Sequence, residues 1–196
     1  MNRPVNNSEA TRKKATAARA AEPFDFVAIV GQYESPLLRY VGQLLGSNRD
    51  GAEEAVQEAF LRLHRQVSEH GRASIENLSA WLFRVAHNLA ISTVRRRELE
   101  RRLREESKDD PLADGADGEP VNALDVLVRK EMCERALAEL QMLPQKHKEV
   151  VLLKIIQGFS FREIGEITGL SVSHVSYRMN QGLRELSRRL KGAGLA

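Results

Sequence analysis

An intramolecular disulfide is closed to this chain, because its 196 residues include one cysteine, Cys133. Cys133 lies in an apolar helical pattern and reads as a buried structural thiol. Aromatic residues are scarce too, at 5% of the chain against 42% hydrophobic residues in all. A core must therefore be built mostly from Leu, Val, Ile and Ala, which favours helices over a sandwich or barrel. No apolar run approaches the length of a membrane span. The Arg and Lys near the N-terminus are not followed by the apolar segment of a secretory signal. These absences predict a cytoplasmic protein with no membrane insertion. A strong charge of one sign is also missing, since 30 Lys and Arg stand against 27 Asp and Glu. Net charge alone does not indicate a nucleic-acid partner. The distribution of charge is more telling, because screening confines it to about 10 Å.

Enzyme signatures are equally thin. His64, His70, His87, His147 and His174 are scattered and form no HExxH-type spacing. No Gly-rich Walker-type loop is present, and Cys133 has no histidine motif beside it. The sequence predicts no catalytic residue, no metal ligand and no cofactor.

What is present is helical periodicity in two blocks. Residues 1–22 are polar, basic and Ala-rich, and read as a mobile tail whose Arg12, Lys13, Lys14 and Arg19 either touch DNA phosphate or are simply solvated. From Phe24, Val27, Val30, Leu37, Leu38, Val41, Leu44 and Leu45 recur at three- and four-residue steps. Pro36 predicts a kink or break in that helix. A second helix from about Asp50 places Ala52, Val56, Ala59, Phe60, Leu63 and Val67 on one face, with Glu53, Glu54, Gln57, Glu58 and Arg62 on the other. A third runs from about Asn77 past Arg97, with a buried stripe of Leu78, Leu82, Val85 and Leu89. Arg84, Asn88, Ser92 and Arg95 share a different face, and the helix ends in a basic run. The sign of charge then reverses, from Glu105 through Asp109, Asp110 and Asp114 to Glu119, with Gly and Pro interspersed. This composition is that of a flexible acidic linker. The predicted fold is all-α: two small helical domains, 23–104 and 123–196, joined by the linker 105–122.

The second block opens with Leu124, Leu127, Val128, Leu137 and Leu140, and Pro144 suits the start of a helix carrying Val150, Val151, Leu153 and Ile156. The sharpest local signal follows. Ser160 and Glu163 form a capping box, with Phe159 and Ile164 at staple spacing. Gly169 is placed to stop the short helix in a left-handed conformation. Ser171 caps the next helix, with Leu170 and Val175 as a second staple. Short helix, Gly-containing turn and longer helix are the layout of a DNA-binding helix-turn-helix. In the longer helix Val172, Val175, Met179, Leu183, Leu186 and Leu190 point inward by periodicity. His174, Tyr177, Arg178, Gln181, Arg184 and Arg188 point outward. Arg and Gln can bond base edges, and Arg also phosphate. An ordinary amphipathic surface helix has a polar outer face as well, so the argument rests on the two caps and their separation.

At this point the residues resemble a known family. Leu143-Pro144 through Val150, then Gly158 through Glu166, then Leu170-Ser171 and Val175 resemble region 4 of sigma-70-family RNA polymerase sigma factors. Ala52 through Leu63 resembles region 2.2 of that family, and Trp81 through Ala90 with Arg95-Arg96-Arg97 resembles regions 2.3 and 2.4. Both blocks in this order, across an acidic linker, resemble the extracytoplasmic-function (ECF) group over roughly residues 24 to 190. The resemblance implies that Glu54, Gln57 and Glu58 dock on the clamp helices of the largest subunit of core RNA polymerase. It implies that Arg84, Asn88, Ser92, Arg95 and Arg96 bind the −10 element, with the loop near residues 68–77 capturing a flipped base. Ser173, His174, Tyr177, Arg178, Gln181 and Arg184 would then bind the −35 element in promoter DNA. The polymerase flap is an implied further contact, and an anti-sigma factor is a further candidate partner. The chain departs from the family pattern at Ser92, where many relatives have Asp, and at Ala55, where Leu is usual. His174, Ser176 and Gln181 stand where Thr, Lys and Arg are common, which implies an unusual set of −35 contacts.

Two other readings stay open on residues alone. A stand-alone helix-turn-helix regulator would bind duplex DNA without polymerase, and its N-terminal block would be an interaction module. Glu54, Gln57 and Glu58 could equally be a solvated face, and the arginine run a solvated helix end.

Overall fold

In the computed structural model of the chain, the described residues are 24–46, 48–105 and 134–194. The expectations for the basic tail, for the linker beyond Glu105, and for Leu124, Leu127, Val128 and Cys133 lie outside them. All regular elements among the described residues are helical. The first unit holds α1 (Phe26–Leu45), α2 (Arg49–His70), a short 3-10 turn (Arg72–Ser74) and α3 (Leu78–Glu105). The second holds a helical segment over 134–141 (α4), α5 (Gln145–Val151), a π-helical turn (Leu152–Ile156), α6 (Phe161–Thr168) and α7 (Val172–Gly192).

Side-chain caps set the helix starts of the first unit. Asp25 Oδ1 accepts from the Ala28 N–H at 2.9 Å, Asn48 Oδ1 from Gly51 at 3.4 Å and Asn77 Oδ1 from Ala80 at 3.0 Å. Each such cap contributes about 1 kcal/mol. Pro36 does not break α1, which runs through it. The proline removes one intrahelical donor, but Leu37, Tyr40, Val41 and Leu44 just beyond it are buried, and their packing holds the helix together. Val27, read from the periodicity as apolar-face, is 80% exposed. In α2 the predicted face is buried from Ala52 to Leu63, with Val67 half-buried.

The buried arc of α3 is wider than its leucine stripe. Leu82 is fully buried as expected, but Leu78, Val85 and Leu89 are only half-buried. Ala80, Phe83, Ala86, His87 and Ala90 are buried instead. The cause is tertiary: α1 and α2 cover one side of α3, and α6 of the second unit packs on another. The Phe83 and Phe159 rings meet edge to face at 5.0 Å across that junction. Asn77 Nδ2 donates to Glu163 Oε1 at 3.1 Å, and Gln141 donates to Gln43. The two units are therefore clasped.

In the second unit Leu140, Val150, Val151 and Leu153 are buried, whereas Leu137 and Ile156 are 37% and 45% exposed. Ile156 lies in the π-helical turn, closed by Gln157 N–H donating to Leu152 O at 3.2 Å; a wider turn shifts the register that a 3.6-residue period assumes. In α7, Val175 and Met179 point inward as expected, but Val172 and Leu183 do not. Their expected place on the inward face is partly taken by Gly182, which is buried against α5. A Cβ at Gly182 would lie 2.7 Å from Val151 Cγ2 and 3.3 Å from His147 Cβ. Gly182→Val should overpack this contact and lower stability by about 1–3 kcal/mol, read from chemical denaturation monitored by far-UV circular dichroism.

Candidate nucleic-acid and polymerase interface

The helix-turn-helix is built by its caps. Glu163 N–H donates to Ser160 Oγ at 3.3 Å, and Ser160 N–H donates back to Glu163 Oε2 at 2.8 Å. The Ser160 backbone bond is the main reason that the Glu163 carboxyl titrates below its ordinary value. Gly169 takes the left-handed conformation, φ 73°, and its N–H reaches Gly165 O at 2.9 Å. Ser171 Oγ then accepts from His174 N–H at 3.3 Å and starts α7. Phe159, Ile164 and Val175 are buried beneath these caps.

Seated in this way, α7 exposes Ser173, His174, Tyr177 and Arg184, with Gln181 half-exposed beside them. They recur at helical spacing along one stripe. Asn180, which sequence reading passed over, is exposed between Tyr177 and Arg184 at steps of three and four residues. Arg178 is set apart: its Nη1 donates to Glu149 Oε1 on α5 at 2.6 Å. Its position three residues after Val175 and one before Met179, on the flank of the buried stripe, was a legible signal of this placement.

On α3, Arg84, Asn88, Ser92 and Arg96 are exposed at four-residue steps. Arg95 is also exposed, and with Lys146 and Arg178 it lines an open groove of about 440 Å³ between the units. The segment before α3 forms a cleft of about 210 Å³ beside Trp81 and Arg84, with Glu166 of α6 as part of its wall. On α2, Glu54 and Gln57 are exposed and Glu58 is half-buried. Arg62 Nε donates to Glu58 at 2.8 Å, which holds that carboxyl below its ordinary range. Leu61, also missed in the sequence, is 53% exposed on the same stripe and adds an apolar contact point. No group of His, Cys, Asp and Glu is placed to hold a metal ion among the described residues. Nor is any helix among them long and apolar enough to cross a membrane.

A buried polar chain joins the units behind these faces. Tyr40 Oη lies 2.9 Å from His87 Nδ1, and His87 Nε2 lies 3.9 Å from Glu149 Oε2. Burial raises the Tyr40 pKa well above its ordinary value, so its hydroxyl keeps its proton beside Nδ1. In the tautomer whose Nδ1 accepts from Tyr40, a neutral His87 carries its proton on Nε2, facing Glu149. Burial pushes His87 down to about 4, with Arg95 adding to the effect. Burial also pushes Glu149 up to about 7, outweighing the pull of Arg178.

The two shifts have opposite consequences for stability. The depressed His87 contributes stability above its ordinary 6.5 that is lost as pH falls through about 4. The raised Glu149 contributes stability below its ordinary 4.5 that is lost as pH rises through about 7. Over the shared window the two largely cancel. His87→Gln should leave the Glu149 dependence alone, so denaturant stability of that variant should fall as pH rises from about 4.5 to about 7. A flat profile would contradict this assignment.

Comparison with known proteins identifies the family of both units. Residues 29–100 match the model of sigma-70 region 2, and residues 133–186 match that of sigma-70 region 4. The ECF RNA polymerase sigma factor SigW of Bacillus subtilis is 27% identical over 188 residues, covering 92% of this chain and 96% of that protein. The ECF RNA polymerase sigma factor EcfG of Rhodopseudomonas palustris is 32% identical over 152 residues, 78% of each chain. Among solved structures, the sigma factor RpoE in complex with the anti-sigma factor NepR from Bartonella quintana has a TM-score of 0.65 at 22% identity, covering 85% of this chain and 97% of that one. CnrH in complex with the cytosolic domain of CnrY has a TM-score of 0.59 at 22% identity, with 91% and 95% covered. At such identity these two structures show likeness of fold alone. From the family models and the relatives, the chain belongs to the sigma-70 family as an alternative sigma factor of the ECF group, which binds core RNA polymerase and directs transcription initiation.

Proposed function

We propose that the three exposed stripes divide the work of initiation. Glu54, Gln57 and Glu58 on α2, with Leu61, dock on the clamp helices of the polymerase. Arg84, Asn88, Ser92, Arg95 and Arg96 on α3 bind the −10 element, while the cleft beside Trp81 takes a displaced base. Ser173, His174, Tyr177, Asn180, Gln181 and Arg184 on α7 face the −35 element in the major groove. The observation that carries this reading is the polar stripe of α7, left exposed on a helix that both caps and the Gly182 contact fix in place. The units span residues 23–104 and 123–196, with 105–122 as the linker, and the second unit also meets the flap. By likeness to the solved complexes an anti-sigma factor is a further partner, and the cytoplasm is the place of action.

The energetics are sufficient without nucleotide hydrolysis. Opening duplex costs about 1.4 kcal/mol per stacked step. A captured base returns on the order of 1–3 kcal/mol, so a few contacts plus phosphate binding hold a short bubble. The clasped form does not itself span a promoter. Elements roughly 25 base pairs apart lie about 80 Å from each other on duplex DNA. In the clasp, by contrast, His87 on α3 and Arg178 on α7 are joined through the single side chain of Glu149. Docking on the polymerase must therefore draw the units apart.

Reconstitution with core polymerase and a promoter library tests this reading. Transcription should start only when the protein is added; specific DNA binding without polymerase and no stimulated transcription would refute it. Gln57→Ala with Glu58→Ala should weaken polymerase binding while the circular dichroism spectrum is unchanged. Unaltered affinity would remove α2 as the docking surface.

A further inference from the structure

We propose that Glu149 and Arg178 form a positioning device for −35 reading: Arg178 fixes the seat of α7 and leaves base contact to the stripe running from Ser173 to Arg184. This rests on the assignment of α7 as the −35 reader. Arg178 is bound to another helix, donating to Glu149 on α5 at 2.6 Å, whereas Arg188 pairs within α7 with Glu185. Its side chain is 27% exposed and that of Glu149 only 8%, so the pair lies at the root of the helix and away from its open face. Tyr177, the neighbouring residue on the stripe, is 60% exposed.

The energetics favour retention of the pair. A guanidinium that swings out to a base leaves a buried carboxyl without its partner or forces it to take up a proton. Glu149, only 8% exposed, would then lose its hydrogen-bond donor, and a buried polar group left without a partner costs stability. Glu149 is also the residue before Val150 and Val151, which are fully buried, and Val151 touches the backbone of α7 at Gly182. One pair and one close contact thus fix both rotation and depth of the recognition helix on α5. Rotation matters because successive helical residues turn by about 100°, so a small roll moves the stripe away from the base edges.

Full-length holoenzyme is the system in which to test this. Promoter affinity is measured against a library randomised at −35, for Arg178→Lys, Arg178→Gln, Glu149→Gln and the double Gln variant, with Gln181→Ala as the stripe comparison. Affinities are normalised to the polymerase-competent fraction, so loss of folded protein is separated from loss of binding. Arg178→Gln and Glu149→Gln should each weaken binding about tenfold on all −35 sequences alike, with preferences unchanged, and the double variant should be no worse than either. Arg178→Lys should recover most of the loss, and Gln181→Ala should relax one position. The salt dependence of binding should stay as in the wild type. Relaxed preference at one position in Arg178→Gln, or a salt slope lower by about one, would make Arg178 a base or phosphate contact and overturn the inference. Additive losses in the double variant would also overturn it. If Arg178→Gln does not fold, Arg178→Lys and Glu149→Gln carry the same test. Unchanged −35 preference in both Gln181→Ala and Tyr177→Ala would instead remove α7 as the reader, and this inference with it.

Discussion

A helix buried on two sides cannot shift without disturbing two sets of contacts, and α3 is such a helix. Leu82, Ala86 and Ala90 are fully buried in its central turns, and Phe83 meets Phe159 from the second unit. The same helix carries the exposed residues assigned to the −10 element. Its outer stripe is therefore held at a fixed angle by an interior that both units share. Once the units separate, the face covered by α6 is given to solvent or to another surface, and α1 and α2 alone hold the helix.

A polar chain runs through the clasp. Tyr40, His87, Glu149 and Arg178 belong to α1, α3, α5 and α7, so the chain involves both units. The link between the units is the 3.9 Å approach of His87 Nε2 to Glu149 Oε2, and the hydrogen bonds on either side of it each lie within one unit. The opposed titration of His87 and Glu149 leaves this seam nearly neutral to pH over their shared window.

Much of this was readable from residue order. The caps at Ser160, Glu163, Gly169 and Ser171 depend only on local spacing, and each stands where the spacing placed it. Asp25 and the half-buried flank of Arg178 are local too, but their meaning depends on what packs nearby. The wide buried arc of α3 was not legible, because a stripe of leucines reports one partner surface and α3 has two. Gly182 was invisible for a different reason: a residue without a side chain carries no hydrophobic signal, although a backbone approach of this kind requires it. His87 looked like one of several scattered histidines because its partners Tyr40 and Glu149 are distant in sequence. The integrity of α1 across Pro36 shows tertiary packing overriding local preference.

The division of α7 into a seat and a stripe has a consequence for how such a protein changes over time. Val175, Met179 and Gly182 make the seat, and Asn180 and Tyr177 stand clear of it. Substitutions on the stripe cost the fold little, since exposed positions away from packed features contribute within about 0.5 kcal/mol. On the proposed reading of α7, a lineage can therefore retarget which genes it switches on by exchanging a few side chains, with no repair needed in the scaffold beneath them. The departures at His174, Ser176 and Gln181 lie on or beside that open stretch, whereas Gly182 and Arg178 are the positions that bear on α5.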